Sequence, residues 1–443
     1  MPIPAQLIGC FFYHFTSIEN FRSILEHGFL SPKEKERKGI NHLDVANNEI
    51  QERRRAMIVS CNSPTTVHDY VPFYFAKRTS MLASIINDRK IDQKNIIYFA
   101  LPIELSEHTG IAFTDSSANK IEPPNFFNSS NDLEKLSWDI INKDKWKVDC
   151  EEQRNIRMAE FLYPTSLAFS HVAKMIVWDN EIKNKLEDIA ASLDTHLPYI
   201  STYDHKQHYF VANWKNENEP PVSIVTGPDS LFKLVNEIIY KINDMTNHLS
   251  PKKSICKLVS EIRSDFCCLK ELADIDGMQT SNNIHHEDVG AHSRSVAKNI
   301  VNSELYAKLS NDNKALLELA AYLHDIGKGP KSRWVNEVQD VDNEHCCKSL
   351  PMLERIIVEE LGSIPVDTLR KLITFVVYDD IIGEIVAKGR KESEFFRVVK
   401  DKEDVDMIIE LGKADMAAIN PAWIDMHSQA IENVRQRAYI AIE

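Results

Sequence analysis

No apolar run in this chain approaches the roughly 18 to 20 residues that a membrane helix needs, so no membrane partner is expected. The opening MPIPAQLIGCFF has no basic segment ahead of its apolar stretch, which argues against a secretory signal peptide. No Cys-x-x-Cys occurs among the eight cysteines. Two adjacent pairs, Cys267-Cys268 and Cys346-Cys347, suit neither a disulfide framework nor a zinc ribbon, and the cysteines read as reduced thiols of a cytoplasmic protein. There is no internal repeat and no low-complexity tract. Excess positive charge is also missing: a net charge of −14 argues against non-specific nucleic-acid binding by the whole surface.

What is present belongs to a globular protein, with 43% hydrophobic and 27% charged residues, and 443 residues suggest two to three domains. The charge is unevenly spread. Residues 1–190 carry 23 basic against 26 acidic side chains, and the remainder 29 against 40. The first part also holds basic clusters at 33–38 and at Arg53-Arg54-Arg55, which permit a nucleic-acid substrate there or simply form a solvated helix face. Residues 1–190 mix strand-like runs (97–101, 175–178) with helical stretches and a Ser/Asn/Pro-rich loop near 115–132, and read as α+β. Residues 196–250 read as a small α/β connector: two strands around a turn at 215–221, then the amphipathic helix SLFKLVNEIIYKIND. From about 255 to 443 the pattern is helical almost throughout, with breaks at Gly329-Pro330, Gly362 and Pro365.

Three stretches of the first part carry candidate chemistry. In a strand at Tyr13-His14-Phe15-Thr16, His14 and Thr16 share a face, where an imidazole and a hydroxyl can grip a ribose or a carboxamide. Asn20 follows, placed to cap a helix that Gly28 ends. The aromatic strand YVPFYFAKR then delivers Arg78, whose planar guanidinium suits a pyrophosphate, ahead of a helix near Ser80. In the third stretch a lone Glu160 sits in the apolar MAEFLYP, unusual unless paired or functional.

Together these closely resemble the DarT family of DNA ADP-ribosyltransferases across most of residues 10–180. The family carries His-x-Thr with Asn soon after, a Tyr-Val-Pro-Phe-Tyr-Phe strand leading to Arg and Met-Leu, and its catalytic Glu in Ala-Glu-Phe-Leu. Phe113-Thr114-Asp115, Ala118-Asn119 and Leu136-Ser137-Trp138 resemble its middle section, while Ser116-Ser117 departs from the expected Gly-Asn. The resemblance implies transfer of ADP-ribose from NAD onto a base of single-stranded DNA, in a toxin or phage-defence setting. Glu160 would be catalytic, Arg78 would hold the diphosphate, and His14, Thr16 and Asn20 the nicotinamide ribose. A loop with Glu152, Arg154 and Arg157 would read the substrate. Transfer to RNA or protein is the alternative.

The second site lies in LLELAAYLHDIGK, an apolar helix ending in the adjacent pair His324-Asp325, both able to ligate one metal ion. His292 upstream and Asp415 downstream fall on separate helices, and this mix of imidazole and carboxylate suits Mn²⁺, Fe²⁺, Ni²⁺ or Mg²⁺. The set resembles the HD superfamily of metal-dependent phosphohydrolases over residues 285–420, which implies an all-helical fold with these four as ligands. Lys328 is placed to neutralise a phosphate, and His345 falls where some members supply a further ligand or phosphate contact. Dinuclear members would have a His at Tyr378-Asp379-Asp380, where this chain has none. The alternative for this domain is a nucleotide-binding module that senses its ligand and gates the transferase.

Overall fold

The computed structural model describes residues 3–41, 48–143, 150–202, 205–213, 219–282, 284 and 286–443. The chain forms two compact units, Met1–Asn87 with Ile91–Ile224, and Asp88–Lys90 with Val225–Glu443. Among the described residues, no helix is long and apolar enough to cross a membrane.

Among the described residues, ten strands belong to the first unit: β1 (Phe11–Ser17), β2 (Phe29–Leu30), β3 (Tyr70–Tyr74), β4 (Ile96–Pro102), β5 (Ala112–Thr114), β6 (Phe126–Phe127), β7 (Glu160–Pro164), β8 (Ser166–Leu167), β9 (Lys174–Ile176) and β10 (Tyr199–Ser201). Eight of them make a mixed sheet in the order β10-β9-β4-β1-β3-β7-β5-β6. Strand β4 reads IIYFAL without alternation because it is covered on both faces, and all six of these side chains are buried. β1 pairs with β4 from Phe11↔Pro102 to Ser17↔Ile96, but meets β3 only at Tyr13↔Tyr74. The sheet is thus two halves joined at one step, held beneath by stacked Phe12 and Phe161 with ring centroids 3.9 Å apart. β2 and β8 form a separate ladder, and Gly28 precedes it at φ +73°, where a Cβ would lie 2.5 Å from the Leu167 carbonyl oxygen. Only glycine fits that position. The loop expected at 115–132 contains β6, and Asp115 ties it by accepting from the backbone and side-chain nitrogens of Asn125.

The segment expected as a connector is shared between the units. β10 extends the first sheet, and the two expected strands appear only as the bridge Val211↔Ser223. Most of the turn at 215–221 lies outside the described residues. The amphipathic helix Pro228–Thr246 belongs to the second unit, where Leu231, Val235 and Ile242 enter the core. A two-residue bridge has no face wide enough to bury that stripe, so the helix packs on other helices.

The second unit is helical, as expected, with one addition: the short parallel ladder of β11 (Gln279–Thr280) and β12 (Val338–Gln339). Its helices are capped as their sequences indicate. Ser254, Asp288, Ser310 and Asp401 each accept from a backbone N–H in the first turn of Ile255–Ser264, Val289–Val301, Asn311–Leu323 and Lys402–Ile419. Asn311–Leu323 is buried on nearly every side from Ala315 onward, as expected of a central helix. Beyond it, Gly327 lets the chain pass directly over the helix His345–Arg355, since a Cβ there would run into the His345 carbonyl. Gly327→Ala is expected to destabilise the helical unit by at least the ~1–3 kcal/mol typical of overpacking. Calorimetry should show its transition lowered by roughly 2–4 °C per kcal/mol.

Candidate functional sites

In the first unit, the split between β1 and β3 opens a pocket lined by His14, Thr16, Asn20, Phe29, Lys35 and Val71 among others. Strand alternation puts His14 and Thr16 on one face, and His14 Nδ1 lies 3.1 Å from the Pro72 carbonyl oxygen across the split. The Asn20 amide donates to Thr16 Oγ1 at 2.9 Å. Asn20 therefore does not cap the following helix. Ser17 already accepts from Glu19 N–H at the preceding turn, which leaves the Asn20 side chain to the pocket. The three residues read as one binding set are brought together.

Glu160 and Arg78 do not line this pocket. Glu160 opens β7 opposite Tyr74, and its backbone N–H donates to Thr114 Oγ1 at 2.9 Å. Its carboxylate is 1% exposed and receives two parallel hydrogen bonds, each 2.7 Å, from the guanidinium of Arg54. Burial disfavours charge on Arg54, but the Glu160 carboxylate more than offsets it and holds the guanidinium above its ordinary value. Burial, then the same negative charge, push the Tyr74 hydroxyl up. Arg54 is the residue that the sequence reading missed as a site residue. In the helix Asn48–Ala56 three consecutive arginines point about 100° apart, so only one of them, Arg54, turns inward, while Arg53 and Arg55 stay exposed.

Arg78 lies half-buried beyond β3, its guanidinium carbon 6.0 Å from the Phe210 ring centre. The expected substrate loop is a short helix, Glu151–Ile156, capped by Arg157. Glu152 and Arg154 are exposed on it, whereas Arg157 is buried and donates to the Arg78 carbonyl oxygen at 3.3 Å. The Ser116-Ser117 step is anchored to the same region: Ser117 N–H donates to the Asn155 carbonyl, and Thr114 Oγ1 donates to that of Ser116.

In the second unit, Val289–Val301, Asn311–Leu323 and Lys402–Ile419 pack on one another and bring His292, His324, Asp325 and Asp415 into one buried cluster. His292 Nε2 lies 2.8 Å from Asp415 Oδ1. His324 Nδ1 donates to the Ala321 carbonyl at 2.8 Å, which leaves Nε2 as a lone-pair nitrogen, 3.5 Å from Asp325 Oδ2 and 3.7 Å from Asp415 Oδ1. That Nε2 is buried without a hydrogen-bond partner. An orphaned imidazole nitrogen facing carboxylates is a donor set that fits a divalent cation. Lys328 Nζ donates to Asp325 Oδ2 at 2.7 Å. Burial alone would raise the Asp325 carboxyl, but the Lys328 ammonium holds it well below the usual carboxylate range. His345 opens the helix His345–Arg355 and faces Asp379 and Asp380 from 3.8 and 3.7 Å.

Family models match segments of both units. The model of the family described as "ssDNA thymidine ADP-ribosyltransferase, DarT" matches residues 13–211, and that of the HD domain residues 289–364. A DNA ADP-ribosyl transferase of Thermus aquaticus is 30% identical over 205 residues, which cover 45% of this chain and 87% of that protein. The chain belongs to the DarT family. A DNA ADP-ribosyl transferase–DNA ADP-ribosyl glycohydrolase fusion protein of Thermosipho africanus is 25% identical to the DarT-family chain over 231 residues, covering 52% of it and 57% of the fusion. The solved structure of Thermus sp. 2.9 DarT in complex with ADP-ribosylated single-stranded DNA is 24% identical, covers 46% of this chain and 98% of its own, and aligns with a TM-score of 0.41. In this protein a DarT unit is fused to an HD domain.

Since removing one partner leaves the other charge buried alone, Arg54→Ala should destabilise the DarT unit by about 3–5 kcal/mol. Replacing both partners, as Arg54→Met with Glu160→Leu, should restore most of that loss. Denaturant unfolding of the single and double variants checks it; equal losses in all of them would mean that the pairing contributes nothing.

Proposed function

We propose that the DarT unit transfers ADP-ribose from NAD to a base of single-stranded DNA, as a toxin or defence enzyme. The observation that carries this reading is the buried Glu160 carboxylate in its two-bond pairing with Arg54, set in a chain whose relatives are named as DNA ADP-ribosyl transferases. As nicotinamide leaves, positive charge grows at the anomeric carbon, and a fixed carboxylate stabilises it without reorganising. Glu160 also helps to take the proton from the attacking base nitrogen. His14, Thr16 and Asn20 hold the nicotinamide ribose, and Arg78 the diphosphate. Arg154, exposed ahead of β7, meets the nucleic acid, whereas Arg157 positions the segment that carries Arg78. An unpaired strand offers its bases at least cost, and the description of the matching family makes thymidine the first base to test. The cysteine pattern suits a reducing compartment such as the cytoplasm.

In the HD domain, His292, His324, Asp325 and Asp415 would hold a divalent metal, Mn²⁺, Fe²⁺, Ni²⁺ or Mg²⁺, and Lys328 would meet a phosphate. When bound, such an ion polarises a phosphoryl oxygen and lowers the pKa of a water. Here the protein's own part is to fix the His324 tautomer through the Ala321 carbonyl and to keep Asp325 ionised. We read the domain as a phosphohydrolase acting on the ADP-ribose mark or on a soluble nucleotide. The second reading, a nucleotide sensor that gates the transferase, is favoured by the Lys328–Asp325 bond, which the metal must share with an ammonium.

Glu160→Gln is expected to lower transfer about 10²- to 10³-fold while NAD still binds, because the lost charge acts mainly in the transition state. Mass measurement on DNA, RNA and protein acceptors, beside an NAD titration, checks both parts; labelled RNA or protein with unlabelled DNA would overturn the DNA reading. For the second domain, Asp325→Ala should lose bound metal together with phosphoester turnover. Wild type that binds a nucleotide and never turns it over would establish the sensor.

A further inference from the structure

We propose that Arg89 couples ligand binding in the two units, by positioning the start of the helix that carries His345 and by its chain linkage to Arg78. The inference rests on the readings of Arg78 as the diphosphate residue and of the HD cluster as a metal site. Asp88–Lys90 follow the helix Ser80–Asn87 of the DarT unit and precede its strand β4, yet these three residues pack as part of the helical unit. Arg89 is 4% exposed and takes φ +48°, a left-handed backbone that disfavours a side chain of its size. Its guanidinium donates to the Thr226 carbonyl at 3.2 Å, to the Asn343 carbonyl, to Glu344 Oε1 at 3.4 Å and to Cys346 Sγ at 3.0 Å. Glu344 also accepts from the Thr226 N–H and hydroxyl, at 2.8 and 2.7 Å.

Three of the four groups that Arg89 meets flank His345, whose own backbone carbonyl lies against Gly327, two residues beyond Asp325. Arg89 thus fixes the helix start on which the Asp325 turn is packed. A buried guanidinium on a strained backbone is a costly way to hold segments together, and an apolar side chain would serve stability as well. What the guanidinium adds is direction, because its donors lie in one fixed plane and match only one arrangement of the groups around them. From Arg89 both directions along the chain lead to Arg78. Upstream, the helix Ser80–Asn87 starts two residues after Arg78 and is anchored by buried Leu82, Ile85 and Ile86. Downstream, the Gln93 amide donates to the Phe210 carbonyl at 2.8 Å and accepts from its N–H at 2.6 Å, and the Phe210 ring centre lies 6.0 Å from the Arg78 guanidinium carbon. A shift of Arg89 therefore reaches Arg78 through a packed helix and through a hydrogen-bonded aromatic. An ion at the HD cluster pins the His345 helix start and Arg89 with it, so that NAD meets Arg78 already in place.

The test titrates NAD into the full chain by calorimetry, with no DNA acceptor, in the presence and absence of saturating Mn²⁺. Mn²⁺ should tighten NAD binding about 5-fold or more, and NAD should tighten Mn²⁺ binding by the same factor. In Asp325→Ala the effect should vanish, which separates it from Mn²⁺ that binds NAD in solution. Arg89→Met, which keeps the bulk and removes the donors, should bind both ligands with neither affecting the other. Arg89→Lys should behave alike, because one ammonium cannot hold several groups in a plane. Gln93→Leu lies in the DarT unit alone and should cut the factor by at least half, a measurement that stands even if the Arg89 variants do not fold. Variants that only lower the unfolding temperature and leave the factor intact would make Arg89 a structural brace and overturn the proposal. NAD and Mn²⁺ that bind wild type independently would overturn it too, with both sites standing. Failure of either ligand to bind wild type would overturn the site reading concerned, and the coupling with it.

Discussion

A carboxylate withdrawn from water stays ionised only if something nearby carries the opposite charge, and both sites of this chain are organised around that constraint. At Glu160 the counter-charge is one arginine, aligned so that two donors meet two oxygens. At Asp325 it is the Lys328 ammonium, 2.7 Å from one carboxylate oxygen. A point charge can be exchanged for a cation, whereas a bidentate fork fixes the plane of the group that it holds. The DarT unit thus preserves one geometry at Glu160, and the HD domain keeps a carboxylate whose partner can change.

The scaffolds follow from these demands. Glu160 lies at the first residue of β7, at the end of the strand, where Arg54 from the helix Asn48–Ala56 outside the sheet reaches it. Its neighbours along the strand, Phe161 and Leu162, are fully buried and leave no freedom in its register. In the HD domain the candidate ligands come from two helices, Val289–Val301 and Lys402–Ile419, and from the end of the buried central one, and each helix start is fixed by its own cap. Rigid helices fix the ligand positions more tightly than loops would.

Much of this was legible in the sequence where a residue broke its local pattern. Glu160 stood out as an acid within an apolar strand, and His324-Asp325 as two polar residues closing a core helix. Arg54 did not stand out, because its neighbours Arg53 and Arg55 share its charge and only the helical rotation distinguishes them. The helix at 228–246 was visible as amphipathic, but periodicity tells which face is buried and never against which core. Arg157, expected in a reading loop, is buried because the six residues before it close into a helix and turn it inward.

The Arg54 pairing also bears on what Glu160 can still do. A carboxylate has about four lone-pair directions, and the two bonds from Arg54 occupy one on each oxygen. Each oxygen therefore keeps a free direction, and the side chain can accept a further proton donor without breaking the pair. In the proposed reaction the carboxylate's charge is weakened by the adjacent guanidinium, yet it is held in place, and a fixed charge costs nothing to reorient when the transition state forms. The strength lost to pairing is the condition for having an ionised carboxylate in a dry site at all.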